Sequence, residues 1–254
     1  VSALARYPFA AATEGLSDDW RALLEAPAAR LDPAYLAGLA AQDWLPGPGY
    51  LLAALRHVAL TSVKAVLIGE SPYPRREAAI GEAFNDGAVG SLWSPAGLSK
   101  PVNRATSMRN IMKMLLVAEG LISPEAKAED IAALDPAALG FVPTMAALFG
   151  RIRQEGILCI NAIPVLTANK ARDAKAWAGF MDGFLANLHR ARPEAKLLLF
   201  GNFAMKLAEL PGAADFPVLS AEHPYNIGFI NDQGVQDYFR PLRLLRADGG
   251  SAGH

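Results

Sequence analysis

Four side chains suited to handling one flat polar ring follow three apolar runs. Tyr73 comes just after Val66-Leu67-Ile68-Gly69, in a loop that also carries Glu70 and Ser71, and Phe84 lies a short stretch further on. Asn161 closes Ile157-Leu158-Cys159-Ile160, and His223 follows Pro217-Val218-Leu219-Ser220. The rings of Tyr73 and Phe84 offer apolar faces. The amide of Asn161 has both a donor and an acceptor, and His223 can hold or release a proton near neutrality. Pro72 and Pro74 stiffen the first loop. If the runs are strands of an open α/β sheet, these groups meet beyond its carboxyl ends, where such sheets bind ligands.

The elements that must position them read as follows. Ser17-Asp18-Asp19 starts a helix whose stripe is Trp20, Leu23 and Leu24, and Pro27 is expected to stop it. Asp32-Pro33 opens a second helix to about Ala41, and residues 50–58 read as a third. Residues 1–60 thus form an N-terminal helical part, expected to cover one side of the sheet. A strand over 63–68 follows. Residues 88–103, with Gly, Ser and Pro at intervals, read as loop. A helix opens at residues 105–110, with Thr106 or Ser107 as its cap. Helical patterns continue through 135–155, broken by Gly140 and Pro143. Later come a strand over 157–160, a long helix over 171–192, a strand over 196–200 and a strand over 217–220. A last helix is expected from Gly234 to about Ala247, and Gly249-Gly250-Ser251 reads as a frayed tail. Nearly continuous apolar strands alternating with helices give the expected fold class: α/β, with a central four-stranded parallel sheet and helices on both faces, in a single domain over 1–254.

Bulk properties narrow the classes. A chain of 254 residues, 52% hydrophobic, buries a large core. The 22 Gly and 18 Pro are scattered, so no linker is expected, and no internal repeat is visible. No apolar run approaches the roughly 20 residues of a membrane helix. The first six residues do not read as a secretory signal. Cys159, the one cysteine, rules out an internal disulfide and reads as a buried apolar residue, and the four histidines have no zinc-like spacing. The expectation is a reduced, cytoplasmic, monomeric protein with no metal, no cofactor and no membrane contact. The net charge of −1 does not announce a nucleic-acid binder, but the charge is uneven. Residues 1–50 hold six acids and three bases, whereas residues 100–113 carry Lys100, Arg104, Arg109 and Lys113 with no acid. Arg75 and Arg76 follow the first loop. Such clusters can hold phosphates on a neutral chain.

Several motifs, in order, resemble the uracil-DNA glycosylase superfamily, closest to its family 1 branch, over about residues 66–245. Gly69-Glu70-Ser71-Pro72-Tyr73 resembles the family's Gly-Gln-Asp-Pro-Tyr water-activating loop. Ala83-Phe84 is similar to the pair whose ring stacks on an extruded base. The stretch 106–111 resembles the loop and helix that carry a phosphate-binding Ser. The stretch 154–161 resembles the strand that ends in the base-reading Asn. Phe200-Gly201-Asn202 is similar to the next strand end, and His223-Pro224 to the catalytic His-Pro, with Ile227 where the family inserts a Leu into the duplex. The resemblance implies a base-excision glycosylase whose partner is DNA containing a damaged or deaminated base. It gives Phe84, Asn161 and Tyr73 the base, with Tyr73 excluding a 5-methyl group. His223 takes charge developing on O2, and Ser107, Arg104, Arg109 and Ile227 hold the DNA.

The first loop departs from the pattern. Ser71 stands where the family has its water-orienting Asp, and a neutral hydroxyl is not a general base at neutral pH without a partner. Glu70 stands for Gln, Pro74 for His, and Tyr225-Asn226 for Ser-Pro. Other branches carry Gly-Glu-Ala-Pro-Gly here with an iron–sulfur cluster that one Cys cannot hold. Glu70 is therefore expected to activate water, with Asp86 as second choice. Three other readings compete. A silent DNA-binding relative would keep Phe84 and Asn161 but lose water activation. A Ser71/His223 hydrolase is opposed by Tyr73 in place of Gly and by Pro72, which has no N–H for an oxyanion. A Rossmann nucleotide binder is opposed by the missing Gly-x-Gly-x-x-Gly.

Overall fold

The computed structural model describes residues 2–248. Its core is a four-stranded sheet of β1 (Ala65–Gly69), β2 (Ile157–Asn161), β3 (Lys196–Phe200) and β4 (Val218–Ala221). The order is β2-β1-β3-β4 and every pairing is parallel. The chain leaves β1 for a neighbour on one side and then crosses to the other side. A crevice opens at such a reversal, at the carboxyl ends of the strands.

Alternation along the strands sends side chains into two cores. Val66, Ile68, Leu158, Leu197 and Leu199 face the first, with α1 (Asp18–Ala29), α2 (Pro33–Ala40) and the long α5 (Lys170–Ala191). Ala65, Leu67, Ile157, Cys159, Leu198 and Phe200 face the second, with α3 (Thr106–Ala118), α4 (Met145–Gln154) and α6 (Gln233–Phe239). Helices thus cover both faces, as the apolar runs require. The N-terminal segment lies on the first face. Trp20 stacks on Phe184, with ring centroids 6.3 Å apart, and donates its indole N–H to the Val58 carbonyl at 2.9 Å. Phe9 stacks on Phe180 at 5.9 Å. The edge strand β4 is partly exposed, and Val218 faces solvent.

Several sequence expectations need correction. Pro27 does not stop α1; it sits in the last turn. The carbonyl it cannot serve, that of Leu23, instead accepts the Asn187 side-chain N–H at 2.8 Å. Residues 50–58 hold only a 3₁₀ turn, Ala53–Arg56, preceded by Leu52 at a φ of +64°. There the Arg56 guanidinium gathers the carbonyls of Ala12, Glu14 and Gly49, and tertiary bonds replace a helical ladder. The stretch 88–103 holds a small hairpin, Trp93–Ser94 against Gly97–Leu98, and a short helix, Lys100–Arg104, capped by Ser99. Residues 135–144 are turns before α4 rather than helix. The last helix ends at Phe239, not near Ala247, because Pro241 has no N–H to continue it. The Gly249-Gly250-Ser251 tail lies outside the described residues.

Candidate active site

The register of the sheet sets the level of the site. Gly69 pairs with Asn161, and Phe200 pairs with Ala221, two residues before His223. The loop after β1 is fixed at once, because the carbonyls of Gly69 and Glu70 accept the N–H groups of Ala162 and Ile163 at 2.8 and 2.9 Å. A cleft of about 380 Å³ opens here. Glu70, Ser71, Tyr73, Phe84, Arg104, Ser107, Asn161 and His223 all line it, so eight of the ten expected site residues share one cavity. Arg109 and Ile227 do not. Arg109 donates to the Asn103 carbonyl at 3.3 Å, and Ile227 projects into solvent, 71% exposed, on the loop beyond His223.

Two glycines make the close approaches possible. A Cβ on Gly69 would lie 2.6 Å from the Asn161 side-chain oxygen and 2.8 Å from the Ala83 Cβ. Gly201 has a φ of +92°, and a Cβ there would lie 2.8 Å from that of His223. Asn161 is seated against bare backbone, yet its amide makes no hydrogen bond among the described residues. Both halves of the amide are left for a ligand.

Phe84 occupies left-handed backbone at a φ of +63°, uncommon for a bulky residue. Its neighbours hold it there. Glu82 is buried and accepts Arg153 Nε at 2.9 Å, a second Arg153 N–H, and Asn85 Nδ2 at 2.7 Å. Ala83 donates to the Cys159 carbonyl of β2 at 3.3 Å. The Phe84 ring lies 6.2 Å from the His223 ring. Burial pushes the Tyr73 phenol up to about 12, so it presents a neutral ring.

His223 Nδ1 accepts the Tyr225 N–H at 3.0 Å, which assigns the proton of the neutral ring to Nε2. Burial lowers its pKa below the ordinary 6.5, against a smaller opposing pull from the Glu70 charge. His223 is therefore a neutral donor at pH 7. No acid sits on Nδ1, so Ser71 and His223 do not form the triad that a serine hydrolase needs. Asp86 does not serve as a base either: it is buried, paired with Arg75 at 3.0 Å, and accepts the Ala88 N–H at 2.9 Å. Glu70 is half-exposed and ion-paired with Lys170.

The cations divide in two. Arg75 and Arg76 are spent on Asp86, Glu77 and Asp43. Lys100, Arg104 and Arg109 form no ion pair among the described residues. The expected Thr106 or Ser107 cap is also corrected: Ala105 takes the cap position of α3, with no side chain on the first-turn N–H groups. That helix end, with Ala105, Thr106 and Ser107, borders the cleft and suits an anion.

No family model matches the chain. A uracil-DNA glycosylase of Helicobacter hepaticus is 29% identical over 224 residues, which span 82% of this chain and 82% of the relative. That of Chromobacterium violaceum is 30% identical over 214 residues, 81% of this chain and 76% of the relative. A crystal structure of wild-type UNG from Nitratifractor salsuginis matches with a TM-score of 0.86 and 36% identity, over 91% of this chain and 93% of that one. The chain belongs to the uracil-DNA glycosylase superfamily.

Several residues that shape the cleft of this uracil-DNA glycosylase superfamily member are not among the expected site residues. Asn110 of α3 is buried and donates to the carbonyls of Pro224 and Tyr225 at 2.7 and 3.3 Å, tying down the loop that carries His223. Glu82 and Arg153 brace Phe84, and Lys170 holds Glu70. An Asn inside an apolar helix stripe was a usable signal for Asn110. The other pairings join distant parts of the chain and leave no local trace.

Proposed function

We propose that this cleft hydrolyses the N-glycosidic bond of uracil, or a related deaminated base, in DNA. One observation carries the reading. A free Asn161 amide, the Phe84 ring and a neutral His223 share a single cleft at the carboxyl edge of the sheet. A base must leave the stack to be cut. Once extruded, it lies on Phe84 with its edge to Asn161, which donates to O4 and accepts from N3–H. Tyr73 packs against C5 and leaves no room for a methyl group. As the bond from C1′ to the base breaks, its electron pair moves onto the ring, and His223 Nε2–H donates to the charge growing on O2. Glu70 takes a proton from water as the oxygen joins C1′, leaving an abasic sugar and a free base. Ser71 lines the same wall as a neutral hydroxyl.

The free first-turn N–H groups of α3, with Ser107 and Arg104, suit DNA phosphates, and Arg109 lies just outside them. Ile227 and Tyr225 are exposed apolar groups on the His223 loop, and their exposure supports a role in filling the gap an extruded base leaves. The protein acts as a monomer in the cytoplasm. Among the described residues no helix is long and apolar enough to cross a membrane.

Ser71 favours a second reading, a relative that binds DNA without cleaving it. Oligonucleotides carrying one uracil, hypoxanthine, xanthine or thymine mismatch, single-stranded and duplex, separate the two. Alkali-labile sites at uracil or another deaminated base, and none at thymine, are expected. Binding without release at any base would favour the silent relative.

A further inference from the structure

Glu70 has a firm backbone and a free stem. Its carbonyl is tied to Ile163, but the carboxylate is 42% exposed on a side chain with several rotors. Among the described residues one group holds that carboxylate: Lys170 Nζ, on Oε1. Lys170 in turn starts from a fixed point. It is the first residue of α5, whose preceding Asn169 accepts the Arg172 N–H at 3.0 Å. Thr167 Oγ accepts the Asn169 N–H at 3.1 Å. The N–H and O–H of Thr167 both donate to Asp173, at 2.7 and 2.8 Å. Asp173 is fully buried and also accepts the Tyr35 hydroxyl at 2.9 Å. A chain of bonds running into the core thus sets where Lys170 begins.

We propose that Lys170 is the positioning residue for water activation. It holds Oε1 of Glu70, so that Oε2 faces the attacking water. This supplies from α5 the orientation that a short Asp on the loop itself would have given at position 71. A base on a flexible stem needs such a partner, because small misplacements cost rate steeply. The inference rests on the glycosylase reading and on Glu70 as its base. Lys170 acts through Glu70 and touches neither DNA nor the base.

A double-mutant cycle tests it. Single-turnover release of uracil from a labelled oligonucleotide is measured for wild type, Lys170→Met, Lys170→Arg, Glu70→Gln and Glu70→Gln/Lys170→Met. Lys175→Met, on an exposed turn of the same helix, controls for loss of a positive charge. Lys170→Met should slow the bond-breaking step about tenfold or more. The DNA concentration for half-saturation should stay the same. Lys170→Arg should restore most of the rate, and Lys175→Met should match wild type. In the Glu70→Gln background Lys170→Met should cost nothing further. Equal losses in both backgrounds, or a change only in half-saturation, would overturn the inference alone and make Lys170 a DNA contact. Full activity in Lys170→Met would overturn it as well, and full activity in Glu70→Gln would remove Glu70 as the base and this inference with it. No release by wild type would overturn the glycosylase reading, and this inference with it.

Discussion

Burial sets the working form of His223, and the sign of its effect follows. The folded pKa lies below the ordinary 6.5, so the ring takes up its proton at lower pH than a free imidazole does. Any acid limb of base release that is due to His223 should have its midpoint below pH 6.5. The Glu70 charge pulls the same pKa upward. An NMR titration of the His223 ring should therefore shift to lower pH in Glu70→Gln, and an unchanged or higher midpoint would remove the proximity of the two groups. Stability follows the same linkage. Below about pH 6.5 the unfolded chain binds the proton first, so this group's contribution, present above that pH, is lost as pH falls through the folded pKa. At this scale much was legible. Tyr73, Phe84, Asn161 and His223 stood out because a polar or aromatic group just beyond an apolar run has few structural uses. Glu70 was legible as a candidate base, while its Lys170 partner was not, because an ion pair between distant segments leaves no spacing to read.

Elements aim these groups through a few contacts. Asn110 links α3 to the His223 loop. Asn110→Ala leaves the buried Pro224 carbonyl without its 2.7 Å donor, at a cost of about 1–3 kcal/mol. A lower melting temperature is expected, together with a slower release step at unchanged DNA half-saturation. Wild-type values for both would mean that the loop is held by other means. Gly69→Ala forces a methyl group into the Asn161 oxygen at 2.6 Å, where the strand backbone cannot give way. The expected result is a protein that still folds, destabilised by about 1–3 kcal/mol, and that loses base release at least tenfold. Full activity would show that Asn161 does not need this seat. Strands and the long α5 were readable because their patterns are apolar and sustained. The failures share one physical cause, tertiary bonds overriding local pattern. Asn187 lets α1 run past Pro27, Arg56 turns 50–58 into a single 3₁₀ turn, and Ser99 caps a helix in a stretch that looked like loop.

The whole molecule places every one of these groups through one topological feature, the reversal of strand order at β1. Apolar runs of the right length predicted a covered parallel sheet, but no local feature dictates the order β2-β1-β3-β4. That order brings the Glu70, Asn161 and His223 strand ends to one edge. Charge works at this scale too. A net charge of −1 gives no general pull on DNA, so the proposed binding rests on the patch of Lys100, Arg104, Arg109 and the end of α3. A cleft with Ser71 in the water-orienting position is proposed to cut the glycosidic bond with Glu70 and His223. Single-turnover release of uracil from a duplex oligonucleotide, by wild type beside Glu70→Gln and His223→Ala, tests it most directly. Wild type should convert uracil to an alkali-labile abasic site, and each substitution should slow that step about 100-fold or more. Wild type that binds the duplex and leaves every uracil in place, or a Glu70→Gln variant as fast as wild type, would contradict it.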